Sequence, residues 1–306
     1  MRVSSTYLTA IMTRSFERNS GKISKIIEQQ STGKRVNLPS DDPIASSQLV
    51  NLQRENSALK QFQSNISRLQ TSLSQQETVV AAINQQTDAI IDDLLSAANA
   101  SHSRADMGSF AHSIDGKIES VIAALNQKNE DNHALFGGTL SDKQPIVFDA
   151  KTQQYRYQGN DQTRETTVAN GINIKENTLM SGVFSKAGND LAVLNQLTAL
   201  SNKMKNSKIV PSSYLAELQS AHEMMLQASK KLGATFTDLG GRQNRLSMLA
   251  EAHTDIATSN SQAMDALANS NPAQASTDLN LYKMSIQASG MTYMKISQLS
   301  LFNYMS

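Results

Sequence analysis

One long polar stretch with a regular apolar seam decides the fold: NLQRENSALKQFQSNISRLQTSLSQQETVVAAINQQTDAIIDDLL, at residues 51–95. Every seventh position belongs to one series, which is apolar except for a threonine: Leu52, Leu59, Ile66, Leu73, Val80, Thr87 and Leu94. Companion residues follow members of that series three positions later: Phe62, Leu69, Ile83 and Ile90. This spacing is typical of a coiled-coil seam. Because residues 44–100 contain no glycine or proline, they predict one helix roughly 85 Å long.

A second series near the other end of the chain provides a partner for this helix. Steps of three and four residues join Leu246, Leu249, His253, Ile256, Asn260, Ala263 and Leu267. After a break, the same spacing joins Leu279, Tyr282, Ile286, Ser289, Tyr293 and Ile296. Since an apolar helix face needs a neighbour, we expect these segments to cover the long helix and a first helix at residues 1–30.

Two proline-containing breaks mark helix starts. Asp42-Pro43 and Asn271-Pro272 each place a short polar acceptor before a proline. The acceptor can cap free backbone N–H groups, while proline occupies the first helical position without losing a hydrogen bond. The adjacent acids Asp41 and Asp42 therefore fit helix capping better than metal binding. The residues interpreted as hinge and helix cap are Gly33, Pro39, Asp42 and Pro43.

The helical period is interrupted in mid-chain. A helix predicted at residues 104–132 is followed by the sequence LFGG at 135–138. Alternating apolar residues then predict short strands near Ile146, Tyr155 and Ile172, and Asn170-Gly171 predicts a tight hairpin turn. Helical patterns resume at residues 191–204 and again from about residue 214. A small β domain is thus expected, with Phe136, Tyr155 and Tyr157 in its core.

The expected fold class is mainly α with a small β insert. We expect an elongated rod of long antiparallel helices with coiled-coil packing, its two chain ends paired at one end and the β domain at the other. Three domains are predicted: a terminal helical domain, residues 1–40 and 271–306; a long-helix domain, residues 41–132 and 188–270; and a β domain, residues 133–187. Two terminal helices of about 30 residues are marginal alone, so we expect neighbouring subunits to order them.

Composition argues against several classes of function. The chain has 28 Lys and Arg against 27 Asp and Glu, which leaves no positive surplus to bind nucleic acid or a membrane surface. It has no cysteine, and its histidines do not form a zinc-ligand pattern. Neither a nucleophile elbow nor a phosphate loop occurs. We therefore expect no catalytic residue, no cofactor and no metal.

The apolar runs of the chain are short. Its first twelve residues lack the run of about 7–15 apolar residues of a secretory signal, and other runs fall far below the ~20 residues that cross a bilayer. If the protein leaves the cell, we expect it to use another route.

Six motifs occur in order along nearly the whole chain: MRVS at 1–4, STGKRVNLPSDDP at 31–43, LFGGT at 135–139, YQGND at 157–161, GGRQNRL at 240–246 and SLFNY at 300–304. As an ordered set, they resemble the family of flagellar hook-filament junction proteins, the third hook-associated proteins of the flagellin superfamily. Flagellin itself typically lacks the two prolines found here at Pro39 and Pro43.

This resemblance implies a structural subunit, not an enzyme, that is exported unfolded by the flagellar type III apparatus after binding an export chaperone. It implies an extracellular, homo-oligomeric ring at the hook-filament junction, between the first hook-associated protein and flagellin. Neither nucleic acid nor membrane is an expected partner. The residues expected at the assembly interface are Tyr7, Ile11, Ile23, Ile286, Tyr293, Ile296, Leu301 and Phe302.

Two alternatives remain open at the level of sequence. One is a short flagellin, which would be abundant in sheared filaments, whereas a junction protein would be scarce. The other is a secreted coiled-coil adhesin or effector, which would bind a surface or host independently of the flagellar tip.

Overall fold

A computed structural model describes residues 2–98, 103–186, 191–206 and 208–305; of residues 2–6, 8, 104 and 296–305 it describes only the backbone. Its helices are α1 (Arg2–Thr32), α2 (Pro43–Ala98), α3 (Arg104–Leu125), α4 (Ala192–Lys205), α5 (Leu215–Ala268) and α6 (Pro272–Met305), with a 3-10 turn at Pro211–Tyr214. Between α3 and α4 lie β1 (Ile146–Asp149), β2 (Gln154–Tyr157), β3 (Glu165–Ala169) and β4 (Ile172–Lys175). The expectation of a mainly α chain with a small β insert is confirmed.

The chain separates into two units by its internal contacts. One unit combines Met1–Ala58 with Thr254–Ser306, and the other is Leu59–His253. We call them the terminal unit and the central unit. The boundary between them falls within α2 and within α5. The three-domain division expected from the sequence remains a prediction.

In the central unit, the heptad seam of α2 lies in the core. The members of the series from Leu59 to Leu94 are all at most 6% exposed, and the polar Thr87 is fully buried with them. Side-chain hydrogen bonds from Gln70 to Ser247 and between Glu77 and Gln243 join α2 to α5. Because the residue numbers rise along α2 while those of their partners fall along α5, the two helices are antiparallel.

Helix α3 is shorter than its sequence predicts. It begins with a capping box between Ser103 and Asp106 and ends at Leu125, so the predicted end at residue 132 is wrong. Beyond Leu125, the amide of Asn126 bonds to the backbone of Ile146 on β1, and Asn132 adopts a left-handed backbone with φ of 63°. A long-range contact therefore replaces the last turns of the predicted helix.

The β insert consists of two separate two-stranded antiparallel sheets. β1 pairs with β2 so that Ile146 lies opposite Tyr157. β3 pairs with β4 through the predicted turn, in which Gly171 has φ of +73°. Phe136 is buried as expected, whereas Tyr155 and Tyr157 are half-buried. The Tyr157 hydroxyl donates to the Phe136 carbonyl oxygen at 2.8 Å, and burial raises the pKa of Tyr157 to about 12.

The terminal unit contains the two ends of the chain. Gln30 of α1 donates to Ser276 of α6 at 3.2 Å, and Asn19 donates to Ser285 at 3.2 Å. Late residues of α1 thus meet early residues of α6, so the helices are antiparallel. The Lys22 ammonium also lies 4.9 Å from the centre of the Tyr282 ring. The pairing of the two terminal helices agrees with the expectation from sequence.

Candidate assembly surface on the terminal helices

The terminal unit exposes many of its large apolar side chains and buries few. Among its described side chains, the buried hydrophobic residues are three: Ile26, Ala45 and Ala275. Twelve large hydrophobic residues are exposed: Tyr7, Ile11, Ile27, Leu38, Ile44, Val50, Ile256, Leu281, Met284, Met291, Tyr293 and Met294. In the described part of the central unit the balance is reversed: seven large hydrophobic residues are exposed and forty hydrophobic residues are buried. Such an excess of exposed apolar surface is typical of an interaction site.

The residues predicted at the assembly interface fall into three groups. Tyr7, Ile11 and Tyr293 are exposed, at 68%, 47% and 40%. Ile23 and Ile286 are half-buried. The remaining three predicted side chains lie outside the described part of the chain: Ile296, Leu301 and Phe302. The role of all eight in assembly stays a prediction.

Helix α6 carries large apolar residues on more than one side. On one face, Tyr282 and Ile286 are half-buried, and the Lys22 ammonium of α1 lies over the Tyr282 ring. Gly290 lies on this side as well, since a Cβ atom at this position would be in ordinary contact, 3.7 Å, with the Phe16 ring. On the opposite face, Met284 and Met291 are exposed. α6 therefore has exposed apolar side chains in addition to those that face α1.

The two connectors that join the terminal helices to the long helices are bonded to each other. Lys34 forms an antiparallel bridge with Asn269, and the Ser270 N–H donates to the Gly33 carbonyl oxygen at 2.9 Å. Gly33 has φ of +71°, a backbone conformation that favours glycine. The backbone of residues 33–35 thus runs beside residues 268–270.

Arg35 links three parts of this region. Its guanidinium donates to the Leu267 carbonyl oxygen at 3.0 Å and pairs with the Asp42 carboxylate at 2.9 Å. Its backbone N–H donates to the Ala268 carbonyl oxygen. The side chain therefore ties the end of α5 to the residue that precedes α2.

Asp41 and Asp42 are both held by backbone donors. The Asp42 carboxylate accepts from the Ala45 N–H at 3.0 Å, so it caps α2, of which Pro43 is the first residue. The Asp41 carboxylate accepts from the Leu38 N–H at 2.9 Å and pairs with Lys25 at 3.0 Å. It thereby closes the turn that contains Pro39.

These contacts lower the pKa of both carboxyl groups. For Asp41 the Leu38 N–H is the main cause and the Lys25 ammonium the next. For Asp42 the main cause is the Ala45 N–H, followed by the Arg35 guanidinium. Backbone donors and a nearby cation both favour the ionised form of a carboxyl group. Whether the connector bends as a hinge stays a prediction.

Sequence reasoning missed parts of this surface. It did not identify Lys25 and Arg35 as the partners of Asp41 and Asp42, although both basic residues lie nearby in the sequence. It also missed the second face of α6, where Met284 and Met291 recur at heptad spacing. Within the described ranges, no group of three or more His, Cys, Asp or Glu residues is arranged to hold a metal. None of the described helices is both long enough and apolar enough to span a membrane.

The fold is that of a flagellin-type helical subunit, and the family model of the bacterial flagellin N-terminal helical region matches residues 3–140. A solved structure from Vibrio parahaemolyticus, assigned as a flagellar hook-associated protein, is 30% identical with a TM-score of 0.67, covering 74% of this chain and 99% of that one. Flagellar hook-associated protein 3 of Salmonella typhimurium is 23% identical over 291 residues, 91% of each chain. The chain belongs to the family of flagellar hook-associated protein 3.

One further solved structure shares the fold at low sequence identity. The flagellar junction protein of Legionella pneumophila is 13% identical with a TM-score of 0.59, and the match covers 72% of this chain and 100% of that one. The resemblance expected from the six sequence motifs is confirmed, and the chain is a structural component of the bacterial flagellum.

Proposed function

We propose that this chain is the subunit of the hook-filament junction and that its terminal helices reach a stable packed state only among neighbouring subunits. The observation that carries the proposal is the imbalance in the terminal unit, where twelve large hydrophobic side chains are exposed and three hydrophobic residues are buried in its described part. The family relationship supports the junction in preference to the filament or a secreted adhesin.

The energetics favour contact with several neighbours at once. Burying a large apolar side chain fully contributes about 1.5–3 kcal/mol, and roughly half of that where the side chain is already half covered. Twelve such side chains would then contribute roughly 9–18 kcal/mol. Association costs about 4–15 kcal/mol in lost freedom of motion. Stable assembly therefore requires that most of the twelve be buried together, as in a homo-oligomeric ring with neighbours on more than one side.

The proposed partners follow from the position of the junction. The ring contacts the first hook-associated protein on the hook side and flagellin on the filament side. Before assembly, an export chaperone covers the exposed C-terminal region, and the type III apparatus exports the chain unfolded to the cell exterior. The near-balance of charges, 28 basic against 27 acidic residues, supports a role without nucleic-acid or membrane partners. The role is mechanical, with no catalytic step.

The test uses a strain from which the gene is deleted. The strain is complemented with the full chain, a chain lacking residues 2–30, or a chain lacking residues 275–306. We expect both truncations to leave intact hooks without filaments, counted by electron microscopy, and to release flagellin monomers into the medium. Normal attached filaments from both truncations would overturn the proposal.

A point variant separates the surface from general folding. Tyr7→Ser combined with Ile11→Ser removes two exposed apolar side chains of α1 and should reduce attached filaments. The matched control is Phe236→Ser, which changes an exposed apolar residue of the central unit and should leave filament number unchanged. Abundance of the chain in sheared filaments, comparable with that of flagellin, would instead indicate a filament subunit.

A further inference from the structure

Three methionines of α6 are exposed. Met284, Met291 and Met294 are exposed at 60%, 62% and 58%. With about 100° of rotation per residue, Met284 and Met291 lie on the side of the helix opposite to Tyr282 and Ile286, and Met294 lies on the flank between these two sides. Methionine is flexible and polarisable, and it is used where an apolar surface must adapt to a partner.

We propose that these three methionines form an oxidation site, and that their conversion to sulfoxides prevents α6 from packing against a second copy of the chain. This inference rests on the function proposed above and adds a form of regulation to the same surface. The oxidant is a peroxide of the hydrogen peroxide class, which reaches exposed thioethers outside the cell.

The reaction balances without any further reactant. The thioether sulfur attacks one peroxide oxygen, the O–O bond breaks, an S–O bond forms, and the second oxygen leaves as water after taking up the proton of the first. The sulfur loses two electrons and the peroxide gains them. Each methionine consumes one hydrogen peroxide and yields one methionine sulfoxide and one water.

The consequence follows from polarity. A sulfoxide carries a strong hydrogen-bond acceptor, and burying it without a donor is unfavourable. The apolar contacts of α6 that assembly requires are therefore weakened at three positions at once. Subunits that have already assembled keep the sulfur atoms covered, so peroxide acts on the chain before it joins the ring.

Other methionines of the chain serve as internal references. Met107 and Met225 are 2% and 0% exposed in the core of the central unit and should resist oxidation. Met248 is 70% exposed on α5, so it should be oxidised, but it lies outside the terminal helices. Its oxidation should have no effect on assembly.

The experiment exposes the purified full chain to hydrogen peroxide and maps sulfoxides by peptide mass spectrometry. The treated chain is then incubated with hooks isolated from the deletion strain, followed by monomeric flagellin, and filaments are counted. We expect at least about a tenfold loss of filaments, reversed by methionine sulfoxide reductases. After the same peroxide treatment, the filament number of the triple variant M284L/M291L/M294L should fall less than about twofold. The M248L variant should remain as sensitive to peroxide as the natural chain.

The outcomes separate this inference from the proposed function. Failure of the untreated chain to restore filaments would count against the junction role itself. If the untreated chain succeeds, and a chain with sulfoxides at all three positions succeeds equally, the inference is wrong. It is also wrong if the three methionines resist peroxide. If the triple variant assembles poorly even without peroxide, two other measurements decide whether oxidation of these methionines blocks assembly. They are the peroxide sensitivity of the three single leucine variants and the reversal by methionine sulfoxide reductases.

Discussion

The side chain of Asn126 bonds twice to the backbone of Ile146, donating to its carbonyl oxygen at 2.9 Å and accepting from its N–H at 2.8 Å. Asn195 does the same for Tyr155, at 3.0 Å and 2.7 Å. These residues lie on β1 and β2, the two strands of one sheet. Each side-chain amide thus occupies part of an outer edge, where an unpaired strand would otherwise offer a template for another chain.

Replacing either asparagine should destabilise the central unit and open a sheet edge. Asn126→Ala leaves the Ile146 N–H and carbonyl groups without their partner, which we expect to cost about 1–3 kcal/mol of unfolding free energy. Denaturant unfolding measures the loss, and light scattering measures any rise in aggregation. Lys60→Ala, at an exposed position of α2, is the control and should change neither. An unchanged unfolding midpoint for Asn126→Ala would show that water replaces the amide at no cost.

Two glycines with similar backbone angles should respond very differently to substitution. Gly138 and Gly171 have φ of +70° and +73°. A Cβ atom at Gly138 would collide with the carbonyl oxygen of Asn160, whereas the space around Gly171 is open. Gly171→Ala should therefore cost only about 1–2 kcal/mol, from the left-handed backbone. Gly138→Ala should cost clearly more, about 3 kcal/mol or above.

Thermal unfolding of the two alanine variants tests this difference. The Gly171 variant acts as the matched control because it contains the same chemical change at the same backbone conformation. Equal melting temperatures for the two variants would mean that the segment around Asn160 moves away without cost.

Local sequence patterns predicted the main elements of the fold. The heptads from Leu59 to Leu94 predicted the buried seam of α2, because burial along a helix follows directly from spacing. Asn170-Gly171 predicted the hairpin turn, because few dipeptides accept that backbone. The predicted end of α3 was wrong because Asn126 bonds to Ile146, twenty residues away. A helical pattern contains no information about such a contact.

The assembly surface could be predicted only in part. Spacing indicated that the terminal helices pair, and the series it joined includes the half-buried Tyr282 and Ile286 but leaves out the exposed Met284. Met284 and Ile286 belong to the same helix, yet Met284 is exposed and Ile286 is half-buried. Spacing contained no information, however, that large apolar residues would also lie exposed outside that series.

His253 should stabilise β3 through a single hydrogen bond. Its Nε2 lies 2.8 Å from the Val168 carbonyl oxygen, and its ring stacks on Phe62 at 5.7 Å. Since a carbonyl oxygen only accepts, the Nε2 atom carries the proton and donates. His253→Phe keeps an aromatic ring beside Phe62 but leaves Val168 without a donor, so we expect a loss of about 1–3 kcal/mol.

Denaturant unfolding and amide hydrogen exchange in β3 measure this loss. His253→Gln retains a side-chain donor and should recover part of the protection that His253→Phe loses. If the Phe variant were as stable as the natural chain, packing against Phe62 would account for the whole contribution of the histidine.

Acid should weaken the connector between α1 and α2 through Asp41 and Asp42. The pKa of each carboxyl group is lowered in the folded chain by a backbone N–H and a basic side chain. A carboxyl group whose pKa is lower in the folded than in the unfolded chain stabilises the fold above its unfolded pKa, about 3.9. This contribution is lost as the pH falls through the folded pKa, below about 3.9.

The double variant Asp41→Asn with Asp42→Asn isolates this dependence. Asparagine caps helices about as well as aspartate, so α2 should still start at Pro43, but the ion pairs with Lys25 and Arg35 are lost. Melting temperatures followed by circular dichroism should differ most between the natural chain and the variant near pH 7, and the difference should shrink below about pH 4. The exposed Asp131→Asn is the control. A difference that stays constant across this range would show that the charges of Asp41 and Asp42 do not stabilise the connector.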